Sequence, residues 1–311
     1  MSKSTKNFII VILAFVLVFA LLPSFKNALS GLSEENTDES TAIDESNEES
    51  SDIDMESSEE ESSEESTEEE TIVRATYELD YMLNPDEASY AVTGFANISG
   101  AENGIELVIP SEHDGLPVTV IETDAFNDND NIISVSIPES IKSIGSAAFE
   151  NCSNLSYIYF NAAEMNDLNA SPFMSSGHGS DGITVLIGNK VARVPNYLFG
   201  PNFPGYSYSP HIISVNFEEN SICTEIGSGS FYYNQGINFT APSSLVKVGS
   251  AGLTTIGGST FDFSACREVL TFEGQTISHV INFTVYVSQE HYEAYRNLPI
   301  FSVYQNRIIV K

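Results

Sequence analysis

The apolar residues in the central part of the chain recur at a fixed interval. Residues 118–160 contain one pattern twice: Ile121 and Ile144 are 23 residues apart, and so are Phe126 and Phe149. A unit of this length is too short to bury its own apolar face, so each unit must stack on its neighbours. The sequence therefore predicts a solenoid.

The repeat combines a turn frame with a short strand. Its period, within the 20–29 residues typical of leucine-rich repeats, predicts a parallel sheet of short strands with turns or short 3-10 segments on the convex side. The frame reads aliphatic-x-x-aliphatic-x-x-x-x-aromatic, and where Gly follows the second aliphatic residue we expect a tight or positive-φ turn. The frames are Val118-Ile121-Phe126, Ile141-Ile144-Phe149, Val191-Val194-Phe199 and Cys223-Ile226-Phe231, followed by two overlapping alternatives, Leu245-Val248-Leu253 and Leu253-Ile256-Phe261. The glycines that follow a second aliphatic residue are Gly145, Gly227, Gly249 and Gly257. The strands are expected at 132–137, 157–160, 183–187, 212–217, 237–239 and 269–272.

Two segments lengthen the interval between frames. Residues 161–182 and 200–210 are rich in Gly, Pro, Ser and Asn, which favour turns over strands. We expect both to be loops inserted between repeats, within a repeat region that spans residues 118–284.

The ends of the repeat region should carry caps, because a solenoid otherwise exposes the apolar face of its terminal units. Residues 73–117 predict an N-terminal β cap, with two strands around the turn at 84–86. Residues 285–311 predict a C-terminal cap: a strand, a helix with Ser288 as its N-cap and Pro299 as its stop, and a last short strand.

The N-terminal part of the chain predicts export. Residues 1–32 combine Lys3 and Lys6 with an apolar run from Phe8 to Leu22, which suits a signal peptide or an uncleaved membrane anchor. Residues 33–72 are a Ser/Glu-rich linker with 19 acidic residues and no Lys or Arg, and such a segment should be disordered. The folded part is therefore expected outside the cytoplasm, secreted or anchored at the bacterial cell surface.

The charge of the chain excludes several kinds of partner. The formal net charge is −32, from 12 basic and 44 acidic residues. Nucleic acids and anionic lipid surfaces demand a basic face, so we expect no nucleic acid partner and contact with a membrane only through the N-terminal segment.

The repeats resemble those of the BspA-type leucine-rich repeat proteins of bacterial surfaces. The matching elements are IP-x-S-[IL]-x-x-[IV]-G at 137–145, AF-x-x-C-x-x-L-x-x-I at 148–158, and VIP-x-x-x-x-GLPVT-x-I-x-x-x-AF at 108–126. The ending VYVSQEHYEAY at 285–295 is similar to the strand-helix cap of that family. The resemblance implies a secreted or surface-attached protein that mediates adhesion, and it offers no catalytic motif to transfer.

No residue pattern predicts catalysis, a cofactor or a metal site. The five histidines are scattered, and the Asp/Asn run at 127–131 resembles a calcium loop in composition but lacks the Gly and the terminal Glu of an EF-hand. We therefore interpret that run as turn chemistry. Cys152 and Cys266 precede inward aliphatic positions and should be buried as small apolar residues.

Two surfaces are candidates for binding. The outward positions of the strands carry Tyr157, Tyr159, Ser134, Ser136, Ser214 and Asn216, a composition found on adaptable binding faces, although Tyr also has an ordinary preference for strands. The segment 200–210 carries Phe203, Tyr206 and Tyr208, which could bind a partner or pack as a lid on the repeats. The predicted function is non-enzymatic protein binding or adhesion by a monomer. The partner would be an extracellular protein or a glycan, and the alternative is carbohydrate capture at the cell surface.

Overall fold

The protein is built from successive turns of a solenoid, here called coils, whose strands pair mainly in parallel. This computed structural model describes residues 74–201, 208–274 and 282–311, so the N-terminal segment, the acidic linker, Phe203, Tyr206 and His279 lie outside the described residues. In chain order the strands are β1 (Thr76–Leu83), β2 (Tyr90–Ser99), β3 (Ile105–Val108), β4 (Glu112–His113), β5 (Leu116–Ile121), β6 (Ile132–Ile137), β7 (Ser143–Ile144), β8 (Tyr157–Phe160), β9 (Ile183–Ile187), β10 (Arg193–Val194), β11 (Ile212–Phe217), β12 (Glu225–Ile226), β13 (Asn238–Thr240), β14 (Lys247–Val248), β15 (Ser259–Asp262), β16 (Thr271–Phe272), β17 (Phe283–Val287) and β18 (Ile308–Val310), and the α-helix α1 is Tyr292–Arg296.

Two parallel layers enclose the core, and they confirm the leucine-rich repeat solenoid. Within the described ranges the main sheet has nine strands in the order β18-β17-β15-β13-β11-β9-β8-β6-β3. The opposite layer consists of shorter strands, most of them two residues long, with β5 paired to β7 and β10-β12-β14-β16 in one sheet. Apolar side chains from both layers meet between them and form one continuous buried cluster.

A column of aromatic rings runs through the turns of the coils. Phe126 and Phe149 stack with their ring centroids 5.2 Å apart, Phe149 and Phe173 at 5.0 Å, and Phe173 and Phe199 at 5.6 Å. Phe199 and Phe231 continue the column at 5.4 Å. The rings are fully or almost fully buried, so the column ties each coil to the next through apolar burial and ring contacts.

The segment 161–182, expected to be an inserted loop, contributes a repeat of its own. Met165, Leu168 and Phe173 have the same spacing as Ile141, Ile144 and Phe149, and Phe173 lies in the aromatic column. The backbone of the segment fills the place between β7 and β10, because Asn166 N donates to Lys142 O and Leu168 N donates to Asn196 O. Its residues form turns without a strand, which is why the composition suggested a loop.

The last coils decide between the two overlapping frames and correct one strand assignment. Leu245-Val248-Leu253 is the structural frame, with Val248 in β14 and Leu253 fully buried. Phe261 instead belongs to the main sheet, where it pairs with Phe239 and Val285. The strand expected at 269–272 is therefore the short strand β16 of the opposite layer. Leu253, Ile256 and Phe261 have the spacing of a frame by coincidence, because β15 begins soon after the turn that contains Leu253.

Most of the glycines after the second aliphatic residue are required for a reason other than the expected turn geometry. Gly145, Gly227 and Gly249 have no positive φ, but a Cβ on Gly145 would lie 2.3 Å from Thr123 N of the preceding coil. Added Cβ atoms on Gly227 and Gly249 would likewise lie 2.6 and 2.7 Å from backbone atoms of the coil before. These positions need glycine because adjacent coils approach so closely. Gly257 does have a positive φ, of 69°.

Both caps form. At the N-terminus, β1 and β2 make an antiparallel hairpin, and β2 pairs in parallel with β5. The main sheet already begins at β3, within the segment 73–117 that the sequence assigns to the cap.

At the C-terminus α1 begins later than expected, with His291 rather than Ser288 at its N-cap. Ser288 Oγ accepts a hydrogen bond from His291 N across the turn that precedes the helix. A one-turn 3-10 helix starts at Pro299. Tyr295 closes the core, stacked on Phe263 with its hydroxyl accepting a hydrogen bond from Leu270 N.

Across residues 74–201, 208–274 and 282–311, none of the helices combines the length and the apolar character that a membrane crossing needs.

The replacement Gly145→Ala should lower the free energy of unfolding by more than about 2 kcal/mol, because the new Cβ would clash with rigid backbone of the coil before. Urea unfolding measures the loss. Gly257→Ala is the matched control: its positive φ costs about 1 kcal/mol, and no atom lies within 4 Å of the added Cβ. Equal losses in the two variants would contradict the close-approach explanation.

The replacement Phe173→Ala should cost about 3–5 kcal/mol, as much as Phe149→Ala, because both rings are fully buried in the same column. Thermal melting of the two variants and of Tyr208→Ala, whose side chain is 50% exposed, provides the comparison. If Phe173→Ala were as mild as the Tyr208 control, residues 161–182 would be an inserted loop after all.

Candidate functional site

The outward side chains of the main sheet form two rows across the strands. Parallel pairing in register aligns Ser134 with Tyr157 and Tyr157 with Thr184, and it aligns Ser136 with Tyr159 and Tyr159 with Leu186. Asn216 continues the second row beside Leu186. The sheet therefore brings the predicted residues Ser134, Ser136, Tyr157, Tyr159 and Asn216 onto one face.

Ser134 and Ser136 are not accessible, contrary to what their outward positions suggest. They are only 5% and 8% exposed, because each lies between longer side chains of the two adjacent strands. Ser134 pairs with Glu106 on one side and with Tyr157 on the other. Its Oγ has no hydrogen-bond partner among the described residues. The two serines thus form the floor between larger groups, and the tyrosines form the accessible part of the face.

Tyr157 and Tyr159 are partly exposed and stay neutral. Burial raises the pKa of both hydroxyls above the usual range for tyrosine, and the carboxylate of Glu218 raises it further. Glu218 is itself fixed, since its Oε2 accepts a hydrogen bond from Asn189 N at 2.8 Å. The partly exposed rings therefore offer apolar faces to a partner, whereas the hydroxyl oxygen of Tyr157 is itself buried.

The remaining predicted residues are less prominent. Asn216 is partly buried, and its Nδ2 donates to Ser214 Oγ at 3.0 Å. Tyr208 is 50% exposed, and its carbonyl accepts a hydrogen bond from Ser175 N. Because Phe203 and Tyr206 are not among the described residues, the predicted aromatic group of the segment 200–210 stays a prediction.

The Asp/Asn run at 127–131 makes hydrogen bonds within the solenoid. Asp128 Oδ1 accepts from Asn151 Nδ2 at 2.8 Å, and Asp130 Oδ1 accepts from Ser153 N at 3.1 Å, both in the next coil. Asn129 Oδ1 accepts from Asn131 N, which is ordinary turn chemistry. No group of His, Cys, Asp or Glu side chains within the described ranges is arranged to hold a metal ion.

The cysteines are buried, as expected. Burial raises the pKa of Cys152 and of Cys266 to about 12 and that of Cys223 to about 11, so the thiols stay protonated near neutral pH. Cys152 also has a structural role that the sequence did not reveal, because its Sγ donates to Phe126 O at 3.3 Å. Ser176 Oγ and Asn234 Nδ2 make the equivalent bonds to Phe149 O and Phe199 O.

Opposite charges alternate along the layer of short strands, a feature that sequence reasoning missed. Arg193 binds Asp167 and Glu225, and Lys247 binds Glu225 and Glu273. Asp167 is partly desolvated, which raises its pKa, but the hydrogen bonds from Arg193 and Asn196 N outweigh this effect and lower the pKa. The signal was the charged residue directly before the second aliphatic position in three frames, Arg193, Glu225 and Lys247. The parallel register places these side chains in line.

The geometry defines a leucine-rich repeat solenoid, with short parallel strands on one face and turns tied by buried aromatics on the other. The family model for the BspA type leucine rich repeat region matches residues 119–269, with six copies of the repeat. This part of the chain therefore belongs to the BspA-type leucine-rich repeat family. The comparison with curated proteins gave no match.

Solved structures of three bacterial repeat proteins are similar to the chain at low identity. A leucine rich repeat protein from T. pallidum is 19% identical, with 71% of this chain and 93% of that chain covered and a TM-score of 0.26. A leucine rich cell surface protein from Faecalibacterium prausnitzii A2-165 is 17% identical, with 67% and 52% covered and a TM-score of 0.33. A leucine-rich repeat protein from Bacteroides ovatus ATCC 8483 is 16% identical, with 68% and 70% covered and a TM-score of 0.24.

The raised tyrosine pKa values predict a loss of stability in alkaline solution. A folded-state pKa above the unfolded value near 10 means that the folded protein holds the proton more tightly, so this stability is complete below pH 10 and is lost as the pH rises beyond it. The urea concentration at the midpoint of unfolding should decrease when the pH is raised from 8 to 11, and it should decrease less in the double variant Tyr157→Phe, Tyr159→Phe. Each protein serves as its own control at pH 8, and identical declines would show that these two hydroxyls do not cause the loss.

Proposed function

We propose that the protein is a non-enzymatic, extracytoplasmic binding protein. In this proposal it acts as a monomer and binds an extracellular protein or a glycan on the outer face of the main sheet. The single observation that carries the proposal is the pair of partly exposed tyrosines, Tyr157 and Tyr159, on adjacent outward positions of one short strand. Membership of a leucine-rich repeat family supports a binding role in general.

A rigid sheet is a suitable support for such a face. Tyr157 and Tyr159 belong to β8, which is hydrogen-bonded on both sides, to β6 and to β9. Their positions are therefore fixed before a partner arrives, and a tyrosine side chain loses little conformational entropy when it is buried in an interface.

Polar side chains around the two tyrosines could provide hydrogen bonds. Thr184 lies beside Tyr157 in the first row, and Asn216 lies two strands from Tyr159 in the second row. Glu106 and Glu218 make the surroundings acidic, which opposes an anionic partner. The face thus fits a neutral or basic patch on a protein, or a neutral glycan.

The proposed location rests on the N-terminal sequence. Residues 1–32 would direct export as a signal peptide or retain the protein as a membrane anchor, and the acidic segment 33–72 would hold the folded part away from the cell. Under this proposal the solenoid is presented to the surroundings of the cell, and adhesion to host matrix, host cells or other bacteria is its role.

Binding of the purified chain to matrix proteins, epithelial cells, co-resident bacteria and a glycan array tests this function. Tyr159→Ala should weaken the interaction at least about tenfold, because it removes a central aromatic contact. Tyr286→Ala is the matched control, an outward tyrosine of the same sheet but on β17, and it should change the affinity less than about twofold.

The pattern of results separates the candidate roles. Binding to proteins or cells that Tyr159→Ala abolishes supports adhesion, and glycan binding with the same sensitivity supports carbohydrate capture instead. No binding to any of these targets, or binding that is insensitive to both Tyr157→Ala and Tyr159→Ala, would refute the proposed face.

A further inference from the structure

A second aromatic surface lies at the turns that follow the short strands. The aromatic column aligns these turns one above another, so their outward residues form a continuous edge of the solenoid, here called the turn edge. The edge changes character along its length. The turn at 122–131 carries Glu122, Asp124, Asp128 and Asp130, and the turn at 145–154 carries Glu150.

The later part of the turn edge has no charge. The turns at 195–200, 227–236 and 249–258 contain no Asp, Glu, Lys, Arg or His, in a chain with a net charge of −32. Glycine, serine, asparagine, threonine and tyrosine dominate these turns. A ligand approaching here therefore meets the least negative part of the turns. The nearest charged group, Arg193 beside Asn196, is already paired with Asp167 and Glu225.

Three tyrosines are grouped in this uncharged part. Tyr232 and Tyr233 are in edge-to-face contact, with ring centroids 4.4 Å apart and an angle of 88° between the rings. Tyr197 belongs to the preceding coil, and its ring covers Gly229, where an added Cβ would lie 2.4 Å from Tyr197 Cε1. All three side chains are partly exposed.

These tyrosines are not required by the core. Phe199 and Phe231 already fill the buried positions of the two coils, and both are fully buried. Tyr197 lies two positions before Phe199 of the aromatic column, and Tyr232 and Tyr233 lie one and two positions after Phe231. The equivalent positions around Phe126 are occupied by Asp124, Asn127 and Asp128, so the fold accepts small polar residues there.

Amide and hydroxyl groups surround the three rings. Asn196 is held in place, because its Oδ1 accepts hydrogen bonds from Ser228 N at 2.6 Å and from Arg193 at 2.7 Å. Gln235 is exposed next to Tyr233 and Asn234. Such groups both donate and accept hydrogen bonds, as sugar hydroxyls do, while the C–H faces of sugar rings pack on the electron-rich faces of aromatic rings.

We propose that the turn edge around Tyr197, Tyr232 and Tyr233 is a binding site for a neutral glycan. The aromatic faces supply the apolar contact, and the neighbouring Asn196, Ser228 and Gln235 supply hydrogen bonds. The absence of charged residues from these turns matches an uncharged polyhydroxylated ligand. This site is separate from the tyrosines of the sheet face, since it lies on the turns and not on the outward rows of the main strands.

A glycan array with the full chain, divided into neutral and anionic structures, tests the proposal. The protein should bind neutral glycans in preference to sialylated or uronic-acid-containing ones. Titration with the best neutral hit should show at least about a tenfold loss of affinity in Tyr232→Ala and in Tyr197→Ala, while Tyr232→Phe, which keeps the ring, should lose less. Because no charges pair, the affinity should change less than about twofold between 50 and 500 mM salt.

Tyr286→Ala, an outward tyrosine of the main sheet that belongs to neither proposed site, is the control, and it should leave neutral-glycan binding unchanged. A melting curve establishes that each variant is folded; should Tyr232→Ala not fold, Tyr233→Ser takes its place. The proposal is overturned by an absence of neutral-glycan binding, or by neutral-glycan binding that Tyr159→Ala abolishes and that Tyr197→Ala and Tyr232→Ala leave unchanged.

Discussion

The stacking of one coil on the next is the constraint on which the structure depends. A typical coil has one strand of the main sheet, one two-residue strand and a turn, and it cannot bury its own apolar residues. Burial is achieved only when the neighbouring coil lies close enough for main-chain hydrogen bonds in both layers. The close contact at Gly145, where even a methyl group would reach Thr123 N, shows how little space separates adjacent coils.

Each coil meets this constraint at the same few points, although their chemistry varies. The column position is Phe in five consecutive coils and Leu253 in the next. Three residues after the column residue, Cys152, Ser176 and Asn234 all donate to a carbonyl of the preceding coil. A thiol, a hydroxyl and an amide are thus interchangeable here, because what the position requires is a small donor that satisfies a buried carbonyl group.

The parts of the fold that repeat were predictable from the sequence, and the parts that depend on lateral neighbours were not. The strands at 132–137, 157–160, 183–187 and 212–217 follow from alternation, and the turn frames follow from their spacing. The Met165-Leu168-Phe173 frame was missed although its spacing is correct, because turn-forming composition outweighed it. The burial of Ser134 depends on Glu106 and Tyr157, which are 28 and 23 residues away in sequence, so no local pattern could reveal it.

The same constraint explains where function can reside. The neighbouring coil restricts which residues can occupy the inward positions, the aromatic column and the glycines of close approach. Outward positions on the strands and turns contact the neighbouring coil only along their sides. Tyr157 and Tyr159 on the strands, and Tyr197 and Tyr232 on the turns, occupy such unconstrained positions. Tyrosine at a position where Asn127 or Asp128 serves equally well in an earlier coil contributes nothing that stacking requires. The proposed contact with a partner accounts for its presence there, which the stacking of the coils does not require.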